Sequence, residues 1–229
     1  FNDMFRDLLK GGSMEDQALD KGIYLGNLKE FSKLPNLLLG SPEKDKQEFF
    51  NAPWKSVNYV ECHDNQTVYD KMVGCEAGDI KKRHKLLLAT TIFSMGIPFI
   101  HAGQEFMRTK QGEHNSYMSS DTINGLDWNR MSENRDIVDF TKDAIELRKA
   151  TPEFRSMTYN PKFKDKTKML KKLVEIQYEK EVRLIINLTN QIQEVKLKKE
   201  QVVFNTLGKV NIQDNYNIEP LELIVIKKL

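Results

Sequence analysis

The chain has 229 residues, 39% of them hydrophobic, with 35 basic against 33 acidic side chains and a formal charge of +2. That size supports a sizeable core in one large or two small domains. The near-balanced charge excludes a strongly basic nucleic-acid binder or an acidic tail, and a mean hydropathy of -0.56 gives no run long enough for a membrane span. Neither nucleic acid nor membrane is expected as a partner.

The two cysteines, Cys62 and Cys75, are too few for a disulfide scaffold. The one basic cluster, Lys162, Lys164, Lys166, Lys168, Lys171 and Lys172, lacks accompanying aromatic or glycine-rich patterning and reads as a solvated loop. The sequence starts at Phe1 in mid-pattern, as a partial chain would, and leaves localisation open.

In chain order, residues 5–10 are expected as a short helix ended by Gly11 and Gly12. Residues 15–19 and 28–39 are expected to be helical, with Pro35 interrupting. Residues 57–62 read as a buried strand and 67–73 as a short helix. The clearest helix covers 79–95, where Leu86, Ala89 and Phe93 recur at helical spacing behind Asp79 as N-cap. Residues 97–101 follow as a short buried strand. Ile137, Phe140, Ala144 and Leu147 mark a further amphipathic helix stopped by Pro152.

Strands alternating with helices predict a parallel sheet covered by helices. Polar groups cluster just after the strand ends, where β/α barrels carry their catalytic residues. From about Pro161 the texture changes. Val174, Ile176 and Tyr178 share one strand face, as do Val182, Leu184, Ile186 and Leu188. Shorter strands are expected at 194–197, 202–205 and 221–226. This second region reads as an antiparallel all-β module.

Three stretches bear on function. His63-Asp64-Asn65 ends the apolar strand on three polar groups. It reads either as a ligand-facing imidazole and carboxylate or as a cap for the next helix. In "GIPFIHAGQEF" (96–106), Glu105 is expected to anchor a loop through backbone hydrogen bonds, the alternative being a polar pocket of His101, Gln104 and Glu105. The polar segment 108–128 is long enough to suggest function. Its Asn115, Ser116 and Tyr117 suit sugar binding, while Trp128 is expected to be a core anchor rather than a stacking platform. Histidines and carboxylates occur without HxxxH or CxxC spacing, so no metal site is expected. Cys62 beside His63 is not read as a nucleophile pair, because strand neighbours point to opposite faces.

Taken together, "FNDMFRD" (1–7), "VNYVECHDNQTVYDKM" (57–72), "GIPFIHAGQEFMRTKQGEHNSYMSSDTINGLDW" (96–128) and "ELIVIKKL" (222–229) resemble the α-amylase-type glycoside hydrolases, and more narrowly the type I pullulanases. The third stretch is the most specific. The resemblance implies residues 1–155 as the last strands and helices of a (β/α)8 catalytic barrel, and 156–229 as a C-terminal antiparallel β-sandwich. It implies cleavage of α-1,6-glucosidic bonds in branched glucans with retention. Asp64 would be the catalytic carboxylate that stabilises the transition state. His63, Asn65, Asn115 and Tyr117 would bind the α-glucan substrate.

The family's nucleophile and acid/base carboxylates lie upstream of "FND", so the isolated chain is expected to be inactive. Its missing N-terminal part is the expected partner. No cofactor is expected; calcium occurs in the family, without ligands assignable here. Another α-amylase-type hydrolase and a non-catalytic glucan-binding chain are the rival readings.

Overall fold

A computed structural model of the chain describes residues 1–41, 50–159, 168–170, 172–179, 181–208 and 214–229. Of the lysine cluster, Lys162, Lys164, Lys166 and Lys171 lie outside these residues, as does Pro161.

The first part is helical around one parallel strand pair. Helix α1 (Asp3–Lys10) starts where the Asn2 side chain accepts from the Phe5 amide, and Gly11 closes it with a positive φ. A 3-10 turn at Leu28–Lys33 runs into α2 (Leu34–Leu38). Pro35 therefore begins a helix instead of interrupting one. Proline lacks only an amide that the first turn leaves unpaired anyway. Residues 15–19 form just a single 3-10 turn, Glu15–Gln17.

Strand β1 (Val57–Asn58) pairs in parallel with β2 (Ile97–Pro98). Between them lie α3 (Val68–Gly74) and α4 (Ile80–Phe93). Both strands are shorter than the apolar runs that announced them. Nor is β2 buried as expected: Ile97 is 47% exposed. Gly96 precedes it at φ 109°, and a Cβ there would stand 2.8 Å from the Ser56 carbonyl oxygen, so the close approach that starts the pairing needs glycine.

Asp79 does precede α4, but in a left-handed conformation with no side-chain cap bond. Helix α4 is buried along most of its length, including Leu86, Leu87, Leu88 and Ala89, as a helix packed on several sides must be. Short helices α5 (Asp121–Asn124) and α6 (Trp128–Glu133) lead into α7 (Arg135–Lys149). Helix α7 buries Ile137, Thr141, Ala144 and Arg148 on one stripe. The Arg148 guanidinium donates to the carbonyls of Ile92, Ser94 and Gly96, at 2.5, 2.7 and 2.7 Å, and so closes the end of α4.

The second part is antiparallel. Strands β3 (Lys168–Leu170), β4 (Leu173–Tyr178), β5 (Val182–Asn187), β7 (Glu200–Asn205) and β9 (Glu222–Lys228) form a sheet in the order β3-β4-β5-β9-β7. Strands β6 (Gln193–Lys196) and β8 (Asn215–Ile218) form a second, two-stranded sheet. Sequence reading missed β3 and β8, which at three and four residues are too short to show a clear alternation.

The alternation read in β4 and β5 is observed: Val174, Ile176, Tyr178, Val182, Leu184 and Ile186 are all buried. They join one core with Leu37, Leu38 and Phe93 of the helical layer. On the other face, Ile185, Ile224 and Ile226 pack with Val195, Tyr216 and Ile218 of the small sheet. Buried on both faces, β5 and β9 carry near-continuous apolar runs. In β7, Val202 pairs with Ile226 and Phe204 with Val225, leaving Val203 as an extra residue. This bulge lets Val202 face the small sheet while Phe204 turns to the helices, within 5.0 Å of the Phe93 ring.

Candidate functional site

The polar triplet follows β1. Its support begins two residues earlier, at Glu61, which is fully buried. One carboxylate oxygen of Glu61 accepts from the Val68 amide at the start of α3 (2.7 Å). The other lies 3.1 Å from Nδ1 of His101, which follows β2. A buried carboxylate is stable there because a helix N-terminus and an imidazole both supply donors. With Nδ1 donating to Glu61, His101 Nε2 is left to accept the longer contact from Arg108, at 3.5 Å.

The helix cap is Thr67, whose hydroxyl accepts from the Asp70 amide (3.0 Å). Capping therefore does not fall to Asp64 or Asn65. Asn65 instead takes a left-handed turn at φ 65°, a conformation asparagine tolerates better than most residues. That turn sends His63 and Asp64 outward. Their side chains are 83% and 65% exposed, and His63 Nε2 stands 3.2 Å from Asp64 Oδ1. The Cys62 thiol contacts the Asp64 carbonyl and no histidine nitrogen.

The segment after β2 is held by its own polar groups. Glu105 accepts from the Gly103 amide at 2.9 Å, the loop-anchoring role expected from sequence. Arg108 donates to the Asn124 carbonyl (2.6 Å), and Asn124 donates to the carbonyls of Ser116 and Ser119 at 2.6 and 3.0 Å. His114 Nε2 reaches the Ser13 carbonyl (2.6 Å). On this scaffold Asn115 is exposed and Tyr117 is 75% exposed. Trp128 corrects the sequence reading. It is 61% exposed at the start of α6, its ring 6.2 Å from Phe106, and is no core anchor. Asp127 caps α6 through the amides of Asn129 and Arg130.

Three lysines around this end are buried and bind backbone carbonyls. Lys10 donates to Gln66, Lys71 to Gly12 and Gln17, and Lys110 to His63. Burial lowers the pKa of all three, that of Lys10 to about 8 despite the opposing charge of Glu61. Sequence reading missed Glu61 and these lysines. An acid inside "VNYVEC" is a legible signal for a buried carboxylate, whereas the lysines carry none. Among the described residues, no group of three or more His, Cys, Asp or Glu side chains is placed to hold a metal ion, and no helix is long and apolar enough to cross a membrane.

The arrangement presents one outward carboxylate and one imidazole on a turn, near a loop offering an amide and a phenol. Such groups bind polyhydroxylated ligands. No family model matches the chain. A pullulanase of Bacillus subtilis (strain 168) is 44% identical over 160 residues, covering 68% of this chain and 22% of that protein. The crystal structure of a pullulanase from Anoxybacillus sp. LM18-11 complexed with maltotetraose matches all of this chain with a TM-score of 0.87 and 33% identity. That of the type I pullulanase from Bacillus subtilis str. 168 complexed with maltose does so with a TM-score of 0.88 and 31% identity. The chain spans 35% of each of these two structures. By sequence over two-thirds of its length and by fold over all of it, the chain belongs to the type I pullulanase family.

Proposed function

We propose that the chain is the C-terminal portion of a debranching glycoside hydrolase that cleaves α-1,6-glucosidic bonds in pullulan, glycogen or limit dextrins with retention. The observation that carries this is the outward His63–Asp64 pair on a turn anchored by buried Glu61, in a chain of this family. In this reading the parallel pair β1–β2 is the end of a (β/α)8 barrel, with residues 1–155 its last part and 156–229 a β-sandwich. The remaining strands, and the nucleophile and acid/base carboxylates, come from the preceding part of the protein.

Asp64 then acts as a transition-state stabiliser. Hydrolysis passes through an oxocarbenium-like state, and hydrogen bonds to ring hydroxyls that strengthen there lower the barrier. An ionised carboxylate accepts two such bonds, and the His63 imidazole supplies a donor to the same sugar. Asn65 shapes the turn and lies beside the same subsite. Asn115 and Tyr117 line neighbouring glucose subsites, with the phenol ring as a stacking face. By this reading the chain alone lacks the bond-breaking pair and is inactive.

The test is pullulan hydrolysis, followed by reducing sugar, for this chain alone and for the protein extended upstream of Phe1. Activity only in the extended protein, with maltotriose as product, supports the proposal. Activity of the chain alone would mean that a catalytic pair lies within it. An extended protein that cleaves linear amylose and spares pullulan points to another α-amylase-type specificity, and glucan binding without cleavage to a non-catalytic chain.

A further inference from the structure

We propose that Lys110 is a positioning residue that ties the His63–Asp64 turn to the Asn115–Tyr117 loop, so that one buried ammonium sets the spacing between the carboxylate and the neighbouring sugar subsites. This rests on the functional reading above and deepens it.

Lysine is among the residues least often buried without a partner, yet Lys110 is almost wholly enclosed. Its ammonium has three donors and no acceptor. One donates to the His63 carbonyl at 2.9 Å and another to the Ser116 hydroxyl at 3.2 Å. These acceptors sit on the two separate loops that carry the candidate sugar-binding groups. The root of the side chain is fixed as well. The Lys110 amide donates to Asp70 Oδ2 at 2.7 Å, and the Thr109 hydroxyl donates to Oδ1 of the same carboxylate. Asp70 lies in the first turn of α3, the helix that the His63–Asp64 turn leads into.

Root and tip together therefore connect α3, the turn before it and the 108–120 segment. Burial costs the ammonium free energy, which its hydrogen bonds offset only while both loops keep their positions. Among the described residues the other two buried lysines differ: Lys10 and Lys71 bind carbonyls of Gln66, Gly12 and Gln17. Of these three, Lys110 is the one bonded to both loops. Misplacing a reacting carboxylate by about 1 Å costs on the order of 100-fold in rate, so a brace at this point has kinetic consequences.

The test uses the full-length protein containing this chain, with Lys110→Met, Ser116→Ala and, as a control, Arg183→Met. Arg183 makes charge-assisted bonds to Glu175 and Glu200 on the five-stranded sheet, away from both loops. Lys110→Met is expected to speed backbone hydrogen exchange about tenfold in both 62–66 and 114–118. It should lower kcat/KM on pullulan about 100-fold. Ser116→Ala should speed exchange in 114–118 while 62–66 keeps the exchange rates of the unmodified protein. Arg183→Met should leave kcat/KM within about threefold while lowering the melting temperature.

A response in one loop alone or in neither after Lys110→Met overturns the proposal, as does an equal kinetic loss in Arg183→Met. If Lys110→Met does not fold, unchanged exchange in Ser116→Ala overturns it. Should the unmodified protein not hydrolyse pullulan, the functional reading fails, and the exchange measurements still decide the role of Lys110.

Discussion

Asp64→Asn is expected to separate function from stability. The Asp64 side chain is 65% exposed and its polar contact is the His63 imidazole, itself 83% exposed. A contact this open contributes at most about 1 kcal/mol, and the cap of α3 is Thr67. The substitution keeps the shape of the side chain and therefore should change unfolding free energy by less than about 0.5 kcal/mol. In the full-length protein, removing the charge that strengthens its hydroxyl contacts in the transition state should lower kcat about 1000-fold, or about 4 kcal/mol of barrier. KM for pullulan should change far less, because the lost interaction belongs to the transition state. Urea denaturation and steady-state hydrolysis on the same preparation make the comparison. Turnover within tenfold of the unmodified protein would falsify the catalytic assignment. A stability loss of several kcal/mol would instead make Asp64 a structural residue of the turn.

Three further expectations address other parts of the molecule. Tyr117→Ala, at an exposed ring, should raise KM for branched oligosaccharides several-fold with unchanged stability, and an unchanged KM removes Tyr117 from the site. Lys10 has its folded pKa lowered to about 8 against an unfolded value near 10.4, so between those values the unfolded state binds more protons and stability rises with pH. The unfolding free energy of the unmodified protein minus that of Lys10→Met should increase by on the order of 3 kcal/mol from pH 7.5 to 10.5, and a flat difference would show that Lys10 titrates normally. Phe154→Ala removes a buried ring that lies 5.1 Å from Phe93 and 5.0 Å from Tyr178, and should cost about 3–5 kcal/mol by urea denaturation; a loss under 1 kcal/mol would mean the layers are not joined there.

Elements with a repeating pattern were the legible ones. Helix α4 stood out because apolar residues recur at helical spacing, and β4 and β5 because theirs alternate. The short parallel strands were overextended, since an apolar run reports burial and not pairing: Tyr59 and Val60 are buried yet lie beyond the β1–β2 register. His63 and Asp64 were visible as polar residues ending such a run. Their supports were not. Glu61 depends on an amide seven residues on and an imidazole 40 residues on, contacts that only the fold brings together. Buried lysines escape sequence reading for the same reason, because their partners are carbonyls that every residue has. Trp128 was misjudged because size and hydrophobicity favour the core, whereas its ring sits exposed in the first turn of α6.

The bulge in β7 has a consequence for how changes spread through the protein. By turning Phe204 toward Phe93 and Phe140, it makes the outer strand of the sheet a packing partner of α4 and α7. Each layer then behaves toward the other as a tightly held ligand whose loss uncovers an apolar face. A defect introduced in β7 would lower the stability of α4 and α7, which lie far from it along the chain but pack against it. Variants selected for a more robust sheet would in the same way stiffen the helical layer it covers.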